Sequence, residues 1–232
     1  MNIFQLANVS KEHSLGSVKL KSLQQVNLSI EKGKITTIIG PEASGKSRIV
    51  HLLSLNDNPT GGSISYKGVN LSTCDEKELS RIRTYDVGLV PQNFHLNSTI
   101  SVLDNVSMIA KIMGDDNWIA REKAEYWLSK LGLQSHLNDY PIELGLFEFK
   151  KVGIARAMVK KPEFLILDEL YAFLTDDECN SLFKYIYELN KEYQLTVIHV
   201  SRKVDYCKYS DMVYQMKNGK CTQFKPSEAT AA

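Results

Sequence analysis

The chain has no excess of charge of one sign and no long basic block. Lys and Arg number 28 against 27 Asp and Glu, a formal net charge of +1, so neither a nucleic acid nor a polybasic membrane anchor is expected as a partner. It also lacks any stretch near the roughly 18 to 20 apolar residues that span a bilayer, and Met1 to Ser10 lacks a charged segment followed by an apolar run. A cytoplasmic location is therefore expected. Cys74, Cys179, Cys207 and Cys221 are far apart with no CxxC pair, which argues against a metal or redox motif. No internal repeat is visible, and only the tail from Lys225 to Ala232 is compositionally simple.

What is present is a 232-residue chain that is 43% hydrophobic, enough for one sizeable core. Alternation before residue 35, as in Val26, Leu28 and Ile30, with turn signals at Gly16 and Gly33, predicts short antiparallel strands. Ile35 to Ile39 and Phe164 to Leu167 read as buried central strands, as does Thr196 to Val200. A strand pair is expected around Ser63 to Tyr66, a short strand from Val87 to Val90, and a last strand from Asp211 to Met216. Helices are expected from Gly45 to Leu53, Val102 to Met113, Trp118 to Leu131 and Asp176 to Glu192. The pattern predicts an α/β fold: a parallel sheet with flanking helices, an antiparallel β-subdomain at the N-terminus, and a helical subdomain inserted at about 93–157.

The chemistry concentrates at Gly40-Pro41-Glu42-Ala43-Ser44-Gly45-Lys46-Ser47, which fits GxxxxGK[ST] between a buried strand and a helix. Gly40 and Gly45 allow a tight turn that aims backbone N–H groups and a helix N-terminus at phosphates. Lys46 is suited to neutralise β- and γ-phosphate charge, and the Ser47 hydroxyl to ligate Mg²⁺. The run Phe164-Leu165-Ile166-Leu167 ends in Asp168-Glu169 at the edge where parallel sheets collect ligands. Asp168 is the expected Mg²⁺ partner, and Glu169 the group that polarises an attacking water. The expected cofactors are ATP and Mg²⁺.

These motifs in this order resemble the ABC-transporter ATPase family over residues 2–224. The segment from Ser80 to Met113, with Arg81, Arg83, Val87-Gly88 and Leu103-Asp104-Asn105-Val106, is most similar to the lipoprotein-releasing and macrolide-efflux branch. The resemblance implies that Gln92, in Val90-Pro91-Gln92, senses Mg²⁺ and the γ-phosphate. It places His13 where the family stacks an aromatic ring on adenine, and Arg48 where a threonine commonly follows the loop serine. It also implies an integral membrane permease partner, peripheral attachment to the inner face of the cell membrane, and a dimer with a second ATP-binding subunit.

Departures from the family cluster in the second half. The LSGGQ signature reads Leu144-Gly145-Leu146-Phe147-Glu148, between preserved flanks at Pro141, Glu143 and Val152 to Ala157. Bulk at Leu146 and Phe147, and the charge of Glu148, oppose close approach of a partner's phosphate. Leu170 replaces a proline, Ala172-Phe173-Leu174-Thr175 lacks the usual aspartate, and Arg202 stands at the switch-histidine position while His199 falls inside the preceding strand. An ATP-binding subunit with impaired hydrolysis on its own is expected. Pairing with an intact homologous chain is more economical than a homodimer. A regulatory pseudo-ATPase is the alternative, and a soluble nucleic-acid-associated protein is disfavoured.

Overall fold

The computed structural model describes residues 1–15, 18–202 and 204–224. The turn expected at Gly16 and the simple tail fall outside them. Two sheets organise the chain. A central six-stranded sheet runs in the order β10-β9-β3-β8-β7-β6, formed by β3 (Ile35–Ile39), β6 (Val87–Val90), β7 (Phe164–Asp168), β8 (Thr196–Ser201), β9 (Met212–Lys217) and β10 (Lys220–Phe224). Every neighbouring pair is parallel except β9 and β10. The second sheet is antiparallel, in the order β2-β1-β4-β5, from β1 (Asn2–Leu15), β2 (Val18–Glu31), β4 (Gly61–Tyr66) and β5 (Val69–Asn70).

The central strands are apolar because both faces are covered. All five residues of β3 and of β7 are buried, and alternate side chains along β7 feed different cores. Leu165 and Leu167 join a cluster with α3 (Val102–Ile112), α4 (Asn117–Lys130), α5 (Leu146–Met158) and α6 (Asp176–Tyr193). Phe164 and Ile166 join another with α1 (Lys46–Leu53) and the antiparallel sheet. The helices α3 to α5 lie in sequence between β6 and β7.

Some elements differ from the sequence reading. The N-terminal strands are not short: β1 and β2 each run 14 residues and pair along most of their length. Register shifts between Leu6, Val9, Lys11 and Glu12 break the alternation, since each bulge flips the outward face. The helix α2 (Glu76–Tyr85) has no fully buried residue, so it carries little apolar period, yet a complete capping box of Asp75 and Glu78 starts it. The sheet also continues past β9 into β10, across Asn218 and Gly219, both at positive φ.

Phe94, just beyond β6, locks onto α5 at a glycine. A Cβ at Gly153 would lie 2.4 Å from Phe94 Cζ, and the Phe94 ring stacks on Phe149 at a centroid distance of 4.8 Å. Gly153 thus admits a ring that ties the segment after β6 to the helical layer. Gly153→Ala is expected to destabilise the protein by about 1–3 kcal/mol through overpacking. Adding Phe94→Leu should recover part of the loss, read from denaturant midpoints.

Candidate functional site

The order of the central sheet assembles the site. The C-terminal ends of β3, β8, β7 and β6 lie side by side. They deliver, in that spatial order, the loop 40–47, Arg202, the Asp168-Glu169 pair and Gln92. Ligands of open parallel sheets bind at this edge. A cleft of 250 Å³ opens there, with Glu42, Lys46, Gln92, Glu169 and Arg202 on its walls.

The loop after β3 is built by backbone conformations that few residues tolerate. Gly45 has φ +104°, and a Cβ there would sit 2.7 Å from the Ser22 carbonyl oxygen. At Gly40 a Cβ would lie 2.3 Å from the Met216 carbonyl oxygen. Both glycines are thus required by close backbone approach. Ala43, at φ +56°, adopts the left-handed region without that freedom and is strained.

Lys46 opens α1 and folds back over its own loop. Its Nζ donates to the carbonyl oxygens of Gly40 (2.6 Å) and Pro41 (2.8 Å) and lies 3.7 Å from Glu169 Oε1. The residue is buried, and burial, partly offset by Glu169, lowers its pKa. The Ser44 hydroxyl is buried with no hydrogen-bond partner among the described residues, an unsatisfied group inside the cradle. Ser47, Ala43 and Arg48 also line the cleft.

Asp168 ends β7 and is buried. Burial first, then the neighbouring Glu169 charge, pushes its carboxyl from 3.8 up to about 6, against the opposing pull of Lys46. Glu169 follows at φ +48°, held by its N–H donating to the Val200 carbonyl at 2.9 Å. Strain at such a position is typical of functional sites. Two adjacent carboxylates, a hydroxyl at Ser47 and the Gln92 side chain make an oxygen-rich edge, a donor set that fits a hard cation such as Mg²⁺.

Arg202 joins the two halves of the cleft. Its guanidinium pairs with Glu42 on the loop after β3, and its Nε lies 3.5 Å from Glu169 Oε2. His199, by contrast, is in the core, edge-on to Tyr171 (4.8 Å) and Phe183 (5.4 Å), and burial lowers its pKa to about 3. It is a neutral sheet-face residue.

Nine of the expected site residues thus line one cleft: Glu42, Ala43, Ser44, Gly45, Lys46, Ser47, Arg48, Gln92 and Glu169. Gly40 and Pro41 contribute carbonyls to Lys46, and Asp168, the last residue of β7, precedes Glu169 and interacts electrostatically with Lys46. His13 belongs to β1, but its side chain lies outside the described residues. Ser22, on β2, lines the cleft with no motif to announce it; only the packing of β2 against Gly45 reveals it.

The loop aligned with the signature begins α5 with Gly145 as cap. Glu148 Oε2 would be 2.6 Å from a Cβ at Gly145, and Glu148 lies 3.9 Å from Lys151. The Phe147 ring sits 4.5 Å from Lys151 Nζ. A carboxylate of the chain itself therefore covers the first turn of this helix.

The family model described as ABC transporter matches residues 23–172. The chain belongs to the ABC transporter family. Among curated ABC relatives, the lipoprotein-releasing system ATP-binding protein LolD of Buchnera aphidicola subsp. Schizaphis graminum is 34% identical, over 94% of this chain and 95% of that protein. The uncharacterized ABC transporter ATP-binding protein MJ1508 of Methanocaldococcus jannaschii is 31% identical, over 95% and 98% respectively. Among solved ABC structures, the dimeric ATP-binding cassette MJ0796, bound to ADP and Pi in a post-hydrolysis state, superposes with a TM-score of 0.88. Its identity is 26%, with 96% of this chain and 98% of that one covered. CbiO1 of Clostridium perfringens, part of the transporter complex cbiONQ, gives 0.90 at 27% identity, with 99% and 91% covered. The resemblance to the lipoprotein-releasing branch is thus carried by relatives across nearly the whole chain.

The raised pKa of Asp168 has a stability consequence. Its folded-state value lies above 3.8, so ionisation costs stability as pH rises from about 4 to about 6, and the cost stays constant above that. Asp168→Asn should therefore raise the thermal stability of the nucleotide-free protein at neutral pH, by on the order of 1–3 kcal/mol. The gain should vanish below about pH 4, as melts across a pH series would show.

Proposed function

We propose that this chain is the ATP-binding subunit of a membrane ABC transporter complex and that the cleft at the end of β3 holds Mg-ATP. The observation that carries this reading is Lys46, a buried cation held by loop carbonyls and one carboxylate beside a buried Ser44 hydroxyl that has no partner among the described residues. A phosphate chain supplies acceptors for both, along with the N–H groups of residues 43–47. Arg48 follows on the first turn of α1 and lines the same cleft. His13 is carried as the adenine-facing residue from the family resemblance alone.

Ser47, Gln92 and Asp168 are the residues that would hold Mg²⁺. When bound, the ion neutralises charge on the phosphate oxygens. Glu169 is then suited to orient a water and take up its proton, once nucleotide draws Lys46 and Arg202 away from its two oxygens. In this structure both cations lie beside that carboxylate, Lys46 at one oxygen and Arg202 at the other.

Closure is transmitted to an integral membrane permease, with the chain peripheral on the inner face of the membrane. A second ATP-binding subunit completes the dimer. Glu148 over the start of α5 supports a heterodimer in preference to a homodimer, because it leaves that helix poorly suited to a partner's phosphate. The same observation supports a second reading, a nucleotide-binding regulatory subunit with little turnover.

Lys46→Ala should weaken Mg-ATP binding roughly 100-fold or more, the loss of two charge-assisted contacts, while the variant still melts cooperatively. Undiminished binding would remove the cleft from the account. Glu169→Gln should retain bound ATP through cycles in which the native protein releases ADP. Equal turnover by the two proteins would leave Glu169 without a catalytic role.

A further inference from the structure

We propose that the turn joining β9 to β10, Asn218-Gly219, is a positioning element for the phosphate loop: its backbone holds the Ser44 carbonyl and so aims the Gly45 N–H into the cleft. The inference rests on the nucleotide reading above and adds to it residues far along the chain that no motif marks. The turn is wedged between β2 and the loop. The Gly219 N–H donates to the Ser44 carbonyl at 3.0 Å, and the Gly219 carbonyl accepts from the Gln24 N–H at 2.8 Å. The Gln24 side-chain amide donates to the Asn218 carbonyl at 3.1 Å. On β9, just before the turn, the Met216 carbonyl oxygen would lie 2.3 Å from a Cβ at Gly40.

Peptide geometry turns that contact into an aim. A trans peptide is planar, and its C=O and N–H point in opposite directions. The Ser44 carbonyl and the Gly45 N–H belong to one such unit, so a carbonyl drawn to Gly219 leaves the N–H facing away from the turn. Ser44 and Gly45 line the cleft, whereas Asn218 and Gly219 are not on its walls. Away from the turn is therefore toward the cleft. The Gly45 N–H has no acceptor among the described residues, and just ahead of α1 it is the kind of donor that a phosphate takes. Gly45, at φ +104°, has the freedom to let this peptide rotate. A contact from outside the loop is what fixes it.

Gly219 cannot be replaced without moving the turn. A Cβ there would lie 2.9 Å from the Ser22 carbonyl oxygen and 3.2 Å from its carbon. These are backbone atoms of β2 and cannot swing aside, so an added methyl pushes the turn off β2 and carries its N–H away from Ser44. The chain also holds a matched turn. Lys67-Gly68, between β4 and β5, has φ +48° and +83°, against +51° and +75° at Asn218-Gly219. A Cβ at Gly68 would meet no atom within 4 Å. Alanine at Gly68 thus reproduces the backbone strain of alanine at Gly219 without the contact to the loop.

The test is the affinity for Mg-ATP, Mg-ADP and magnesium pyrophosphate, by calorimetry, of the native protein, Gly219→Ala, Gln24→Ala and Gly68→Ala, with denaturant midpoints for each. Gly219→Ala and Gly68→Ala should both lower the midpoint. Only Gly219→Ala should weaken ATP and ADP, each about tenfold, the loss of one hydrogen bond to a charged group. The two losses should match because loop N–H groups serve phosphates that both nucleotides carry. Pyrophosphate, which has no adenosine, should weaken by the same factor, which locates the loss in the phosphate cradle. Gln24→Ala removes one anchor of the turn without adding an atom, and should weaken all three ligands roughly threefold, the loss of one neutral hydrogen bond. Native affinities in Gly219→Ala, or an equal loss in Gly68→Ala, would overturn the proposal while leaving the nucleotide site intact. If Gly219→Ala does not fold, native affinities in Gln24→Ala would overturn it. A native protein that binds none of the three ligands would overturn the site itself.

Discussion

The site depends on one buried ammonium group. Lys46 is drawn back over the loop that carries it by the carbonyls of Gly40 and Pro41, and it faces Glu169 across the cleft. Burial disfavours its charge, so the cradle must provide acceptors. Neighbouring choices follow from that demand. Gly40 and Gly45 allow the backbone to pass close to Met216 and Ser22, and the strained Ala43 and Glu169 keep the curve and the carboxylate in place.

Sheet order does the rest. Because β8 lies between β3 and β7, whatever follows β8 falls between the phosphate loop and the acidic pair. In this chain that residue is Arg202, which ties Glu42 to Glu169. The cost of the arrangement is visible in Asp168, whose ionisation the buried, doubly acidic strand end opposes. Such tension between stability and ligand readiness is common where charge is prearranged.

The parts legible in the sequence were those written contiguously. The loop 40–47, the Asp168-Glu169 strand end and the turn at Gln92 each combine a chemical residue with a local pattern that predicts its element, and β3, β6, β7 and β8 appear where their apolar runs lie. Less legible were features set by pairs far apart in the chain. Glu42 and Arg202 are 160 positions apart, and Ser22 reaches the cleft because β2 crosses Gly45. The lengths of β1 and β2 were hidden by bulges that break alternation, and α2 by its lack of a buried face. His199, aligned close to a motif but placed inside a strand of six buried residues, follows its strand into the core.

Amide hydrogen exchange across residues 40–48, with and without Mg-ATP, tests the central claim most directly, since exchange reports local opening of the loop. If the loop is a phosphate cradle, Mg-ATP should slow exchange of the amides from Ala43 to Arg48, and AMP, which lacks the β- and γ-phosphates, should not. Binding of Mg-ATP with unchanged exchange throughout this segment would contradict the account.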